Sequence, residues 1–367
     1  MENQARKERI LVVQPYGIGD TLFIFPLLKA LKVQRNTERL DVIIGPRTRQ
    51  LMQLCPYVDE IHVIDKDLWK RMPKIEVLRE KLKLLLHCGL RHYDMAFDFS
   101  MQPEYSFWAK FFLRIPIIAG FNYKKRNIFL NKPLNLPEQG YSGKSVIEYT
   151  CDLAGLIGLD IVDKKPELRL SSNVEGSAEK LLRDGGWKGG RYIVVSAGGG
   201  ATWGMDAYYK QWPPEYFVQF LKLLGVFFDP GAIVLLGTED ERRFENLFSG
   251  LLANIIPLFG KTDIAQAASI IKHAALFIGN DGGLAHIASC QDVPMAVFYG
   301  PADPKVYGPY PSRENAVVLS RRLPCQPCYQ YFRYNKSCQD IACLRGLLPE
   351  DALAQLNERR FFEFFKK

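Results

Sequence analysis

No stretch of this 367-residue chain reaches 18 uninterrupted apolar residues, so nothing in it reads as a membrane-spanning helix. Arg6, Lys7 and Arg9 precede an apolar run too short for a signal peptide, with no cleavage site after it, and the chain is expected to stay in the cytoplasm. It has no internal repeat, no low-complexity segment and no recognised nucleic-acid-binding motif. A D-x-D pair with suitable flanks is missing from the C-terminal half, so no divalent-cation site of that kind is expected there. Charge of one sign is only mildly in excess: 48 Lys and Arg against 40 Asp and Glu give +8. That balance suits a phosphate-rich ligand or an anionic membrane surface better than sequence-specific DNA.

Cysteine is sparse and unevenly placed. Cys55, Cys88, Cys151 and Cys290 are scattered and read as small buried hydrophobes. The other four fall in one stretch, Cys325-x2-Cys328-x9-Cys338-x4-Cys343. Their spacing permits a four-thiolate structural zinc site, or a thiol cluster that braces a loop. A disulfide pair is disfavoured in a reducing compartment.

What is present is ordinary for a soluble protein: 47% apolar and 24% charged residues, with length enough for two cores. Apolar runs typical of buried parallel strands fall near 10–14, 40–45, 60–64, 95–98 and 117–120. Helical spacing lies between them, near 21–34, 48–54, 75–88, 105–113 and 144–158. A break follows around 160–173. The rhythm then resumes with strands near 192–197, 232–236, 255–258, 275–278, 296–299 and 317–319, and helices near 214–224, 239–249, 263–273 and 284–290. Alternation of this kind predicts two doubly wound α/β units.

Two glycine turns stand out. Phe277 to Gly279 ends a strand, Asn280-Asp281-Gly282-Gly283 turns the chain, and a helix starts near Leu284. Unpaired amides at a helix start, beside the positive end of its dipole, make a diphosphate site. Asp281 and His286 flank it; His286 either faces the phosphates or packs. At the other end, Gly17-Ile18-Gly19-Asp20 follows the first strand. A dinucleotide fingerprint fails there, because Leu22 occupies the third glycine position and the second strand ends in Gly45-Pro46 without a ribose-binding acid. What remains is a turn that presents Asp20 at the carboxyl end of a strand, where open α/β sheets bind ligands. Alone, Asp20 would read as a helix cap.

The ordered set of motifs resembles glycosyltransferase family 9, the lipopolysaccharide heptosyltransferases. It comprises Gly17-Ile18-Gly19-Asp20 with Pro26, Tyr93 to Phe99, Ile118-Ala119-Gly120-Phe121 and Lys210-Gln211-Trp212-Pro213. Asn280 to His286, Phe298 to Pro304, Cys325-Gln326-Pro327-Cys328 and Cys343-Leu344 complete it. The resemblance implies a GT-B fold, two Rossmann-like doubly wound domains facing a central cleft. The acceptor domain would span 1–170 and the donor domain 171–350. A C-terminal helix, 351–367, would pack back on the N-terminal domain. It implies inverting, metal-independent transfer of a heptose from an ADP-heptose to the lipopolysaccharide core, at the inner face of the inner membrane. Gly282 departs from the family, which often has Ser or Thr there.

On this reading Asp20 is the general base, flanked by Gly17 and Gly19. Lys210, Thr202, Asp281, Gly282, Gly283 and His286 hold the donor diphosphate, with Lys210 otherwise a plain surface lysine. Glu239 and Glu241 bind the ribose or are exposed helix acids. Arg47, Lys124, Lys125 and Arg126 meet an anionic core or lipid phosphate, or are simply solvated. Expected partners are therefore the nucleotide-sugar donor, a glycan acceptor and a transient membrane surface, with no nucleic acid and no catalytic cofactor. The competing readings are an epimerase or hydrolase on the same scaffold, which needs a further acid/base set, and a non-catalytic sugar-binding protein.

Overall fold

The structure is a computed structural model that describes residues 7–35, 37–200, 204–227, 231–251 and 253–365. The chain divides into two units, Met1–Glu167 and Leu168–Lys367. The first carries β1 (Arg9–Gln14), β2 (Arg39–Ile44), β3 (Glu60–Val63), β4 (Met95–Asp98), β5 (Ile117–Asn122) and β6 (Lys132–Asn135). The second carries β7 (Tyr192–Ser196), β8 (Ala232–Leu235), β9 (Asn254–Pro257), β10 (Leu276–Asn280), β11 (Met295–Phe298) and β12 (Ala316–Leu319).

Every pairing is parallel. The orders are β3-β2-β1-β4-β5-β6 and β12-β11-β10-β7-β8-β9. Counted from its own first strand, each unit has the same order, the doubly wound one. The cause is visible in the central strands. Ile10, Val12, Val194 and Ile278 are fully buried, because helices cover both faces of a parallel sheet and only branched apolar runs suit such strands.

Two departures from the sequence reading have physical reasons. β6 is Lys-Pro-Leu-Asn, mostly exposed; it lacks an apolar run, and its proline is tolerated because the strand lies at the sheet edge. The expected helix over 21–34 is two, Ile18–Leu22 and Phe25–Val33, with Pro26 in the first turn of the second. Proline has no N–H to continue a helix but fits a helix start. Within the second unit, the C-terminal helix, Pro349–Glu358, and the segment after it place Ala352, Leu356, Phe361 and Phe362 in the core. Phe362 stacks on Phe227 at 4.7 Å between ring centroids. The aromatic tail thus finds its apolar partner in its own unit.

The helix Lys74–Gly89 of the first unit is different in kind: Cys88 is its only buried residue. Beneath it, between sheet and helices, lies a cavity lined by Val13, Ile43, Trp69, Leu84, Cys88 and Tyr105 among others. No helix among the described residues is long and apolar enough to cross a membrane.

Candidate functional site

β7 and β10 are neighbours in the second sheet although three crossovers separate them in sequence. Their carboxyl ends form the switch point at which doubly wound sheets bind ligands. Asn280, the last residue of β10, organises this edge. It is 3% exposed, and its amide donates to the carbonyls of Ala197 and Gly198, both at 3.0 Å. Its Oδ1 accepts the Trp212 backbone N–H at 3.0 Å. Trp212 is buried, stacks on Phe298 at 3.8 Å and donates its indole N–H to the Leu347 carbonyl at 2.8 Å. The Lys210-Gln211-Trp212-Pro213 segment is therefore fixed to the strand ends by Asn280 and by the buried indole.

That anchoring brings Lys210 onto Asp281. Their charged groups lie 2.7 Å apart, with the Asp281 side chain 2% exposed and that of Lys210 15%. Opposite charges desolvated together hold each other strongly, and removing one leaves the other uncompensated. His286 Nε2 stands 3.9 Å from the second Asp281 oxygen. Burial, the largest influence, lowers the His286 pKa to about 4; Asp281 raises it and Lys210 lowers it. The imidazole is thus neutral at neutral pH. Tyr299, which donates to the Tyr307 carbonyl at 2.8 Å, has its hydroxyl pKa pushed well up by burial first and by Asp281 second.

The helix Gly283–Cys290 starts at this point, with Gly282 at its cap in an extended conformation, φ −174°. A Cβ at Gly282 would meet nothing closer than the Asn280 carbonyl at 3.8 Å. The missing hydroxyl at Gly282 is thus a chemical difference and no backbone requirement.

The two candidate ribose acids separate. Glu241 is 8% exposed and accepts the N–H groups of Gly200 at 3.1 Å and Thr238 at 2.8 Å. A Cβ on Gly198 would fall 1.6 Å from its carboxylate, so glycine is required where the acid meets the loop after β7. Glu239 is exposed and pairs with Arg242 at 2.8 Å. Of the donor residues named from sequence, the structure gathers Lys210, Asp281, Gly282, Gly283 and His286, and sets Glu241 to hold the adjoining glycine loop. Thr202 lies outside the described residues.

The first unit repeats the arrangement with other chemistry. Gly17 follows β1 and caps the Ile18–Leu22 helix. The Asp20 carboxylate, half-buried, accepts the Gly17 N–H at 3.3 Å, and Gln14 donates to the Asp20 carbonyl at 3.2 Å. Tyr16 donates its hydroxyl to the Ser100 carbonyl. Burial, then the charges of Asp20 and Asp98, raise its pKa. Gly19 lies within the same short helix. Arg47 stands exposed on the turn after β2, and Lys124, Lys125 and Arg126 on the turn after β5. Lys124 and Lys125 have φ of 55° and 54°, the left-handed region that side chains seldom adopt. All four cations follow the carboxyl ends of parallel strands, the edge that also bears Asp20.

Sequence reasoning did not assign a role to the buried polar cluster at the end of β4. Asp98 accepts the Ser100 N–H at 2.9 Å, the Ser100 hydroxyl at 2.5 Å and the Ser106 hydroxyl. Burial raises its pKa, and those hydrogen bonds oppose the rise. Asn127 donates to Ser106 at 2.8 Å. The available signal was an acid at the last position of a wholly apolar strand.

The late cysteines are free thiols. Burial, then the nearby Cys328, Cys338 and Cys325, push the Cys343 thiol up to about 12. No three of the four sulfurs lie within 4.8 Å of one another, so they are neighbours without forming a ready-made metal shell.

Lipooligosaccharide heptosyltransferase 2 of Haemophilus influenzae is 24% identical to this chain over 371 residues, spanning 95% of this chain and 98% of the relative. The solved structure of Escherichia coli ADP-heptose LPS heptosyltransferase II is similar with a TM-score of 0.70 at 21% identity, covering 97% of this chain and 99% of that one. A glycosyl transferase family 9 structure from Veillonella parvula reaches 0.75 at 18% identity, covering 98% of each. The paired doubly wound sheets are those of a GT-B-type fold. Residues 83–338 match the model of glycosyltransferase family 9, the heptosyltransferases, and the chain belongs to that family.

Proposed function

We propose that this protein is an inverting glycosyltransferase that moves a heptose from an ADP-linked donor to a lipopolysaccharide-type core. The observation that carries the reading is the buried Lys210–Asp281 pair at the start of the Gly283–Cys290 helix. A diphosphate there meets a fixed cation, the amides of Gly282 and Gly283, and the positive end of a helix dipole. Those groups stabilise the charge that develops as the diphosphate leaves, with no metal required. The sugar and nucleotide are taken from the similarity to the Escherichia coli enzyme.

Asp20 is the base. It takes the proton of the acceptor hydroxyl as that oxygen attacks the anomeric carbon and the bond to the diphosphate breaks. Glu239, exposed beside the strand edge, is the better placed of the two acids to reach a ribose, since Glu241 is committed to the loop. Arg47 and Lys124 to Arg126 meet the anionic acceptor. The test pairs turnover with binding. Asp20→Ala should lower transfer by roughly 10²–10⁴-fold while calorimetric ADP affinity stays within a factor of two or so. Wild-type transfer should also persist in EDTA. Unchanged turnover in Asp20→Ala removes Asp20 as the base, and loss in EDTA restored by Mg²⁺ removes the metal-free mechanism.

The enzyme works at the inner face of the membrane as a peripheral protein. Supporting this, Ile75, Leu78, Leu82, Leu86 and Leu90 are all exposed at spacings of three and four along the Lys74–Gly89 helix and its cap, Leu86 and Leu90 by 71% and 78%. Lys74, Arg79 and Lys83 accompany them. An apolar stripe with basic neighbours suits an anionic lipid interface. Leu82→Glu with Leu86→Glu should release the protein from phosphatidylglycerol vesicles in a sedimentation assay; undiminished binding would move the membrane face elsewhere. The four late cysteines are read as a loop brace completed by structural zinc. Elemental analysis should find zinc that Cys325→Ser and Cys328→Ser together remove, and zinc content unchanged by that pair would leave a bare thiol cluster.

A further inference from the structure

A second group of ligating side chains lies at the other edge of the first sheet, away from the strand ends that carry Asp20. Glu60 and His62 are two residues apart on β3 and so share a face. His87 comes from the last turn of the Lys74–Gly89 helix. One ligand atom of each lies within 4.8 Å of the other two. The two imidazoles meet edge to face at 5.2 Å, and His87 Nε2 is 2.8 Å from Glu60 Oε1. His62 Nε2 is buried and has no hydrogen-bond partner. A buried polar atom left unsatisfied is costly, and a ligand atom of His62 lies beside two further ligating groups.

We propose that Glu60, His62 and His87 bind a divalent transition-metal ion of the zinc class, which fastens the Lys74–Gly89 helix to the edge strand. Two imidazoles and one carboxylate suit zinc and its neighbours and do not suit calcium or magnesium, which take oxygen ligands. Zinc–ligand bonds of roughly 2.0–2.2 Å in a tetrahedron put ligand atoms about 3.3 Å apart. The three groups therefore draw inward, and His87, exposed at a helix end, is the one free to move. Water takes the fourth position. Arg39 and Arg91 both reach Glu60, and Arg91 comes within 3.4 Å of His87 Nε2. Asp41 pairs with Arg39 at 2.7 Å, so two carboxylates offset two guanidiniums and the pocket is close to neutral before an ion enters. That predicts moderate affinity, weaker than a site of bare carboxylates. The helix gains most from such a fastening because Cys88 alone is buried along it.

The experiment uses the full chain carrying Cys325→Ser and Cys328→Ser, so that the cysteine cluster no longer competes. It is titrated with Co²⁺ and with Zn²⁺, followed by visible absorption and calorimetry. The expected result is one equivalent of Co²⁺ with ligand-field bands, no strong thiolate charge-transfer band, and a higher melting temperature. His87→Ala and His62→Gln should each weaken uptake at least about tenfold, roughly 1.4 kcal/mol, with circular dichroism unchanged in the absence of metal. No uptake at submillimolar Zn²⁺, uptake indifferent to both histidine changes, or a thiolate charge-transfer band would each overturn the site. Elemental zinc lost only with the cysteines bears on the loop brace and leaves this test separate.

Discussion

The two units share one strand order and each ends a central strand in a glycine turn with an aspartate, yet the two aspartates are treated oppositely. Asp281 is buried against Lys210, with neutral His286 beside it. Asp20 is half-buried, and its carboxylate accepts the Gly17 N–H of its own turn at 3.3 Å. The difference follows from what precedes each turn in space. In the second unit Asn280 and Trp212 fix the lysine segment against the strand ends. In the first, the neighbouring strand end carries Asp98, whose hydrogen-bonding capacity is taken up by Ser100 and Ser106. One fold thus supplies a buried carboxylate that holds a cation in place and a half-buried one held by its own turn.

The largest effect that would break this comparison is on Lys210. Lys210→Ala leaves Asp281 buried without its counter-charge, and the expected loss of stability is on the order of 3–5 kcal/mol. Adding Asp281→Asn removes the stranded charge and should return a large part of that loss, while diphosphate binding stays weak in both proteins. Asp20→Ala, by contrast, should cost no more than about 1 kcal/mol, the scale of a helix cap. Urea unfolding of the four proteins measures all of this. If Lys210→Ala and Asp20→Ala cost the same, the two carboxylates are not held differently and the contrast fails.

Much of this contrast could be read from residue order. The apolar runs marked the central strands, and the glycine turns with Asp20 and Asp281 fell where the chain leaves a switch-point strand in each unit. What escaped depends on tertiary context. β6 has no apolar run to announce it, since an edge strand buries little. Asn280 sits in a quoted motif, but only the structure shows its amide joining the loop after β7 to Trp212. Glu239 and Glu241 are two residues apart and chemically alike. Their division into an exposed acid and a buried loop holder is decided by Gly198, far off in sequence, whose missing Cβ makes room for one of them. The packing of the tail within the second unit, Phe362 on Phe227 included, rests on an aromatic surface that no local pattern reports.

A smaller effect sharpens the comparison through pH. The first unit's turn has no histidine beside its aspartate, whereas His286, its side chain 11% exposed, lies next to Asp281 with a pKa lowered to about 4. An unfolded histidine takes up a proton near pH 6.5. Between pH 6.5 and 4 the unfolded chain therefore binds a proton that the folded chain refuses, and stability falls as the pH falls. Above pH 6.5 neither state is protonated there and His286 adds no slope. The loss should approach about 3 kcal/mol by pH 4, taking 1.36 kcal/mol per unit of pKa difference, and should be roughly a third to a half of that at pH 5.5. His286→Gln keeps a polar side chain of similar reach without the titration. The difference in unfolding free energy between wild type and His286→Gln, measured by urea at intervals from pH 7.5 to 4.5, should be flat above pH 6.5 and tilt against the wild type below it. Other titrating groups cancel in that difference. A flat line throughout would place His286 in contact with water, and the picture of Asp281 in a dry, committed site would go with it.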